Sequence, residues 1–303
     1  MPYRYKLEPY HGPRSRHECP SCGKRGVFAL YIDTETGLPV DETVGRCNRE
    51  VNCGYHRKPS ESGERRAESA RSVRPHFALA PRTSFIPYSS FTPTLTGLEM
   101  PNNFLDWLCT LFKRERVEKA FMDYFIGTSK HWPGATIFWQ IDRLANIRTG
   151  KVMLYDSKTG HRVKEPTNHI SWAHKLLNIP DYNLRQCFFG EHLLWAPTNK
   201  VVAIVESEKT AVIASIFMPE FIWLAAGSLS NLNVEKCKVL RECKRVVLYP
   251  DVRGYELWKQ KSRELRLSMV HVSDILEKRA SPEQKKAGID LADYLIDFYK
   301  PQL

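Results

Sequence analysis

The sequence predicts an α/β protein: a parallel sheet flanked by helices, preceded by an α+β subdomain and a small N-terminal β-ribbon. Three observations carry this. Apolar runs at Val201–Val205, Phe221–Ala226 and Val246–Tyr249 are separated by helix-length segments, as buried parallel strands require. Upstream, the apolar period is helical from Pro101 and strand-like from Ala135. Near the N-terminus, two cysteine pairs flank a strand-length apolar run.

The first sheet run ends at Glu206, and Ser207-Glu208-Lys209-Thr210 leads into a helix over Ala211–Ser215. The second stops at Gly227-Ser228 and the third at Pro250-Asp251. Right-handed crossovers make such strands parallel, and ligands of parallel sheets bind at the carboxyl ends of the strands. Glu206 and Asp251 are therefore expected to converge. Carboxylates there suit a hard divalent cation in phosphate chemistry; capping a helix is the other use of such acids. Arg266 to Val272 reads as a fourth strand, and Leu291, Leu295 and Phe298 mark one face of a terminal helix.

This order of strands and acids resembles the Toprim domain of bacterial-type primases and topoisomerases. That family has a Glu after its first strand and an Asp-x-Asp after its third, and these acids bind divalent metal. Val205-Glu206-Ser207 matches the first motif. The second reads Asp251-Val252-Arg253, then Gly254, so Arg253 stands where the family has its second Asp. The resemblance implies that Glu206 and Asp251 are catalytic ligands of Mg or Mn. It also implies Glu208 or Glu256 as a replacement oxygen, and Lys209 and Arg253 as phosphate or nucleotide contacts. The segment Asp290-Leu291-Ala292-Asp293-Tyr294-Leu295 resembles a C-terminal motif of mobile-element primases, which would put Asp290 near the same site; an N-cap is its other reading.

The chain has 303 residues, with 45 Lys and Arg against 34 Asp and Glu, a net charge of +11. That excess favours an acidic partner, most simply nucleic acid. No apolar stretch approaches the ~18 residues of a membrane span. The first sixteen residues lack a signal-peptide core, so a cytoplasmic location is expected. In that reducing compartment the eight cysteines imply metal or free thiols rather than disulfides.

Residues 1–58 read as a zinc ribbon. Cys19-Pro20-Ser21-Cys22-Gly23 is a C-x2-C turn, and Cys47 with Cys53 forms a wider C-x5-C pair. Between them Val27–Ile32 reads as a strand. Four thiolates on hairpin turns hold structural zinc and leave no open position for catalysis. His17 and His56 are candidate substitutes for one cysteine. The layout resembles the template-contacting ribbon at the N-terminus of bacterial-type primases.

Residues 59–100 read as a linker, charged at first and then punctuated by Pro75, Pro81, Pro87 and Pro93. Phe77, Phe85, Ile86, Tyr88 and Phe91 are its apolar exceptions, placed to pack along the next domain. Residues 101–197 begin with an Asn-capped helix carrying Phe104, Leu105, Leu108 and Phe112, then a helix with Val117, Phe121, Tyr124 and Phe125. Strands follow at Ala135–Ile141 and Lys151–Tyr155, with a loop over Asn146–Gly150. The order resembles the N-terminal half of a primase core, as does Phe188-Phe189-Gly190-Glu191. Lys130, Arg143, Arg148, Lys151, Arg162 and Lys164 interleave with Trp132, Trp139, Tyr155, His161 and Trp172. Cations neutralise phosphates and aromatics stack on unpaired bases, which is the composition of a nucleic-acid groove.

Residues 198–303 complete the plan as the Toprim-like domain. The resemblance implies a primase-like protein that binds single-stranded DNA and nucleotides and lays short RNA primers for mobile-element replication, working with a helicase or replication-initiation protein. A Toprim nuclease and a non-catalytic nucleic-acid-binding module are the rival readings.

Overall fold

The computed structural model describes residues 4–12, 15–49, 53–59, 83–97, 99–265, 267 and 269–299. The chain divides into two compact units, Met1–Phe77 and Ala78–Leu303. In the first, β1 (Tyr5–Leu7), β2 (Phe28–Asp33) and β3 (Gly45–Cys47) form an antiparallel sheet in the order β1-β2-β3. Its buried cluster is Cys19, Phe28, Leu30 and Cys47. So small an apolar core needs a cross-link or a metal to hold it.

The second unit starts earlier than the linker reading allows. Residues 60–82, including Phe77, lie outside the described residues. The segment from residue 83 is packed: Ile86 and Phe91 are buried, and Ile86 N–H donates to Ile147 O at 2.8 Å. Pro87 precedes a single turn, α1 (Tyr88–Phe91). Pro87, one of the four prolines that suggested a spacer, instead sits in extended backbone at the entry to that turn.

α2 (Asn103–Leu111) is capped by Asn102, whose side chain accepts from Phe104 N–H and Leu105 N–H. α3 (Arg114–Asp123) follows. β4 (Gly127–Ser129), β5 (Ala135–Ile141), β6 (Ile147–Met153) and β7 (Ile170–Trp172) form an antiparallel sheet in chain order. β5 is buried on both faces. Ile137, Trp139 and Ile141 meet Ile86 and Phe91, while Phe138 meets Phe104 and Phe189. β6 begins four residues before the expected Lys151, because Ile147 and Thr149 continue the alternation. Gly150 is a strand residue, not a turn: a Cβ there would lie 2.7 Å from both Ile137 and the Trp139 ring. α4 (Ala173–Leu176) closes this half.

The parallel sheet comprises β8 (Val202–Val205), β9 (Ile222–Ala225), β10 (Val246–Leu248) and β11 (Val270–Val272). The order is β9-β8-β10-β11 with every pair parallel. α5 (Glu208–Phe217) and α6 (Tyr255–Glu264) lie on opposite faces. α7 (Ile275–Arg279), α8 (Pro282–Ala287) and α9 (Leu291–Tyr299) end the chain. β11 is shorter than the run that predicted it; residues 266 and 268 lie outside the described residues. Ala203 and Val205 share one core with Phe104, Phe138, Phe189 and Leu291. A division at 197/198 therefore runs through common packing. Phe189 also pairs with Ala225 as a β-bridge.

Candidate metal centres and active site

In the N-terminal unit, the sulfurs of Cys19, Cys22, Cys47 and Cys53 all lie within 4.8 Å of one another. Turns at Cys19–Gly23 and Arg49–Cys53 aim them inward, closed by Gly23 N–H to Cys19 O and Cys53 N–H to Arg49 O, both 2.8 Å. Tetrahedral Zn–S bonds of ~2.3 Å separate sulfurs by about 3.8 Å. Cys19 and Cys53 Sγ stand 3.7 Å apart, so the set fits zinc. Burial pushes Cys47 up to about 12, with Cys53 adding to it, so thiolates at this spacing need a cation. The histidines are not substitutes: His17 Nε2 meets Glu8 and His56 Nε2 meets the Tyr31 hydroxyl. Metal analysis of the purified chain is expected to give about one zinc per chain. Cys19→Ser with Cys47→Ser should remove it and unfold the ribbon, leaving the second unit's melting unchanged.

In the second unit the chain leaves β8 for β9 and returns past β8 to β10. The switch point of the sheet therefore lies between β8 and β10, whose carboxyl ends carry Glu206 and Asp251. The two carboxyls stand close enough for Glu206 to help raise Asp251. Asp251 is raised to about 8 by burial, then by the charges of Asp290 and Glu206. Burial raises Glu206 as well, opposed in part by the Leu229 N–H and by Lys151. Asp251 Oδ1 is buried without a hydrogen-bond partner. Glu206 and Asp251 are thus partly buried acids at the end of the sheet.

Asp290 arrives through tertiary packing. Val252 N–H donates to Ile289 O at 3.2 Å, which sets the start of α9 against the end of β10. Asp290 then accepts from Thr210 Oγ1 at 2.6 Å and from Asp293 N–H at 2.9 Å. It caps α9 and faces Asp251 at once, so both readings of this residue describe the same side chain. Burial and Asp290 raise Asp293. Among the described residues, only the four cysteines gather three or more ligand atoms within 4.8 Å. The acids are wider set than that.

The other named residues are placed as follows. Glu208, 1% exposed, accepts from Lys151 Nζ at 2.9 Å. Lys209 is largely buried over the Trp107 ring at 4.5 Å and donates to Gly160 O at 2.9 Å, and burial lowers its pKa. Arg253 turns away from the acids. Its N–H meets Glu277, its guanidinium meets Lys286 O at 3.4 Å, and its φ is +72°. With Glu256, Tyr255, Asp274, Glu277 and Lys278 it lines a separate groove of about 390 Å³. Glu256 pairs there with Lys259.

Three basic residues of the expected groove already have acidic partners. Arg148 meets Asp142 at 2.7 Å and covers Phe85, Arg143 meets Glu242, and Lys151 meets Glu208. Arg162 is half-buried, and Lys130 and Lys164 are exposed. Trp139 and Tyr155 are core residues, 1% and 3% exposed, and cannot stack on bases. Trp132 and Trp172 are half-buried and His161 is exposed.

Among the described residues no helix is long and apolar enough to cross a membrane. Residues 102–252 match the model of a domain of unknown function, DUF6371, and residues 3–68 match that of a zinc beta-ribbon finger. No curated protein matches the chain. Similar solved structures include the primase fragment of the bacteriophage T7 primase-helicase protein, at 15% identity and TM-score 0.38, over 85% of this chain and 88% of that one. The DnaG catalytic core is similar at 10% identity and TM-score 0.44, over 71% and 83%. The E. coli primase catalytic core is similar at 11% identity and TM-score 0.39, over 71% and 84%.

Proposed function

We propose that the chain is a Toprim primase-like nucleotidyltransferase that lays RNA primers on single-stranded DNA, with Mg or Mn at the acid cleft. One observation carries the reading: Glu206 and Asp251, 45 residues apart in sequence, stand at the carboxyl ends of the two strands that flank the switch point of a parallel sheet. A divalent ion there would polarise the primer 3′-oxygen and neutralise the triphosphate leaving group. Glu206 and Asp251 would hold it, with Asp290 beside them in place of the carboxylate lost at Arg253. Lys209 stiffens the wall between α5 and the Gly160 turn. The N-terminal ribbon would contact the template, and a helicase or replication-initiation protein of a mobile element would deliver it.

The test is incorporation of labelled ribonucleotides on single-stranded templates with Mg or Mn. Incorporation that Asp251→Asn abolishes supports the reading, and template cleavage in its place identifies a nuclease. Template binding without either reaction identifies a non-catalytic module, which the outward turn of Arg253 favours.

Binding to single-stranded DNA is expected to fall steeply with salt through counterion release. The reversals that test its location are Lys130→Glu and Lys164→Glu, because Arg143, Arg148 and Lys151 hold acidic partners. Together they should flatten the salt dependence by about two units of slope. Lys285→Glu with Lys286→Glu, on α8, should change it less; equal changes indicate a diffuse basic surface.

A further inference from the structure

Lys151 is not an ordinary surface lysine. Its side chain is 15% exposed, and its ammonium is fixed at 2.9 Å by Glu208, a carboxylate 1% exposed at the start of α5. One N–H of three goes to Glu208, so donors remain for a ligand. Glu208 lies two residues beyond Glu206, so the ion pair holds the ammonium close to the carboxyl end of β8. Glu208 Oε1 is buried without a partner, so this carboxylate is spent on holding one cation in place.

Strand register puts an aromatic ring beside that cation. Lys151 on β6 pairs directly with Phe138 on β5 and with Trp172 on β7. Direct partners in an antiparallel sheet point to the same face, with Cβ atoms about 5 Å apart. Phe138 lies in the core shared with the parallel sheet, so this is the face turned toward the acids. Trp172 sits on the edge strand and is half-buried. A lysine and a tryptophan paired on one sheet face, near carboxylates at the end of β8, match a base and a polyphosphate carried by one small molecule.

We propose that Lys151 and Trp172 form the subsite for the incoming ribonucleoside triphosphate, Lys151 taking a phosphate and Trp172 the base, with Glu208 as the positioning residue that fixes Lys151. This rests on the primase-like reading and refines it. It moves Lys151 from the template groove to the nucleotide site. A template strand also offers bases and phosphates, but its phosphates carry single charges and need no metal. The anchoring of Lys151 on Glu208, just past the end of β8, favours the triphosphate.

Calorimetric titration of the full chain with ATP and Mg, and separately with adenosine and with oligo-dT, tests the subsite. Trp172→Ala should weaken ATP and adenosine binding by roughly tenfold, while Trp172→Phe, which keeps a ring, stays near the unmodified value. Lys151→Gln should weaken ATP by a similar factor and leave adenosine unchanged. Glu208→Gln keeps the shape of the side chain and releases the ion pair; it should reproduce the loss for ATP alone, a selectivity that general loosening would not produce. If the variants lose oligo-dT binding and keep ATP binding, the pair belongs to the template and the inference is overturned. Unchanged ATP binding in Trp172→Ala and Lys151→Gln overturns it equally, with primer synthesis still standing. If the unmodified chain binds no triphosphate, the proposed function falls and the subsite with it.

Discussion

Asp251→Asn is expected to abolish primer synthesis and, without magnesium, to make the second unit more stable. The first effect follows from removing a metal-holding charge worth several kcal/mol in the transition state, a hundredfold or more in rate. The second follows from crowding. Burial, Asp290 and Glu206 raise Asp251 from 3.8 to about 8. The folded chain then keeps a proton that the unfolded chain releases above pH ~4. The stability linked to this proton is full below pH ~4, declines as pH rises, and is lost once pH passes about 8. The total is on the order of a few kcal/mol, and Asn removes the slope. All seven tryptophans lie between residues 107 and 258, so urea unfolding followed by their fluorescence reports on this unit alone. A unit equally stable at pH 5 and pH 9 in magnesium-free buffer would contradict the crowding.

Gly160→Ala is expected to cost about 3 kcal/mol, although the residue lies in a turn. Gly160 has a φ of +67°, and a Cβ there would fall 2.1 Å from the Trp107 ring. The ring cannot yield easily. It is 7% exposed, stacks on Phe104 and carries the Lys209 ammonium on its face. Left-handed backbone costs about 1–2 kcal/mol and forced overpacking about 1–3 kcal/mol. Gly288→Ala is the control. Gly288 has nearly the same φ, +71°, and nothing within 4 Å of the added carbon. Only the backbone cost of about 1 kcal/mol should appear there. Equal losses in denaturant unfolding would mean that the Trp107 contact is unimportant.

The parallel strands were legible because buried strands are continuous apolar runs, and an acid or glycine after each marks where backbone leaves the sheet. Glu206 and Asp251 could be named on that ground, and Cys19, Cys22, Cys47 and Cys53 from spacing. Pairing is a different matter. Asp142 reaches Arg148 only because a hairpin folds back, and Glu208 reaches Lys151 from another element. Glu208 does so from the first turn of α5, a helix and not a strand, so linear sequence shows a run of cations there, not which of them are neutralised. Trp139 and Tyr155 read as interleaved aromatics because β5 and the end of the hairpin are buried on both faces, which erases the alternation that separates core from surface. Asp290 shows the same gap. Its motif was visible, but its approach to Asp251 depends on one backbone hydrogen bond between Val252 and Ile289.

The core shared by the antiparallel and parallel sheets has a consequence for how substrates enter. The strand that carries Lys151 and the strand that leads to Glu206 rise from packing that includes Phe104, Phe138, Phe189, Ala203 and Val205. Two lobes joined by a linker can swing shut on a ligand, but walls set in one close-packed interior cannot. The aperture is therefore fixed by side-chain volume. On the proposed function, orientation entropy would be settled when the chain folds, not when a nucleotide arrives.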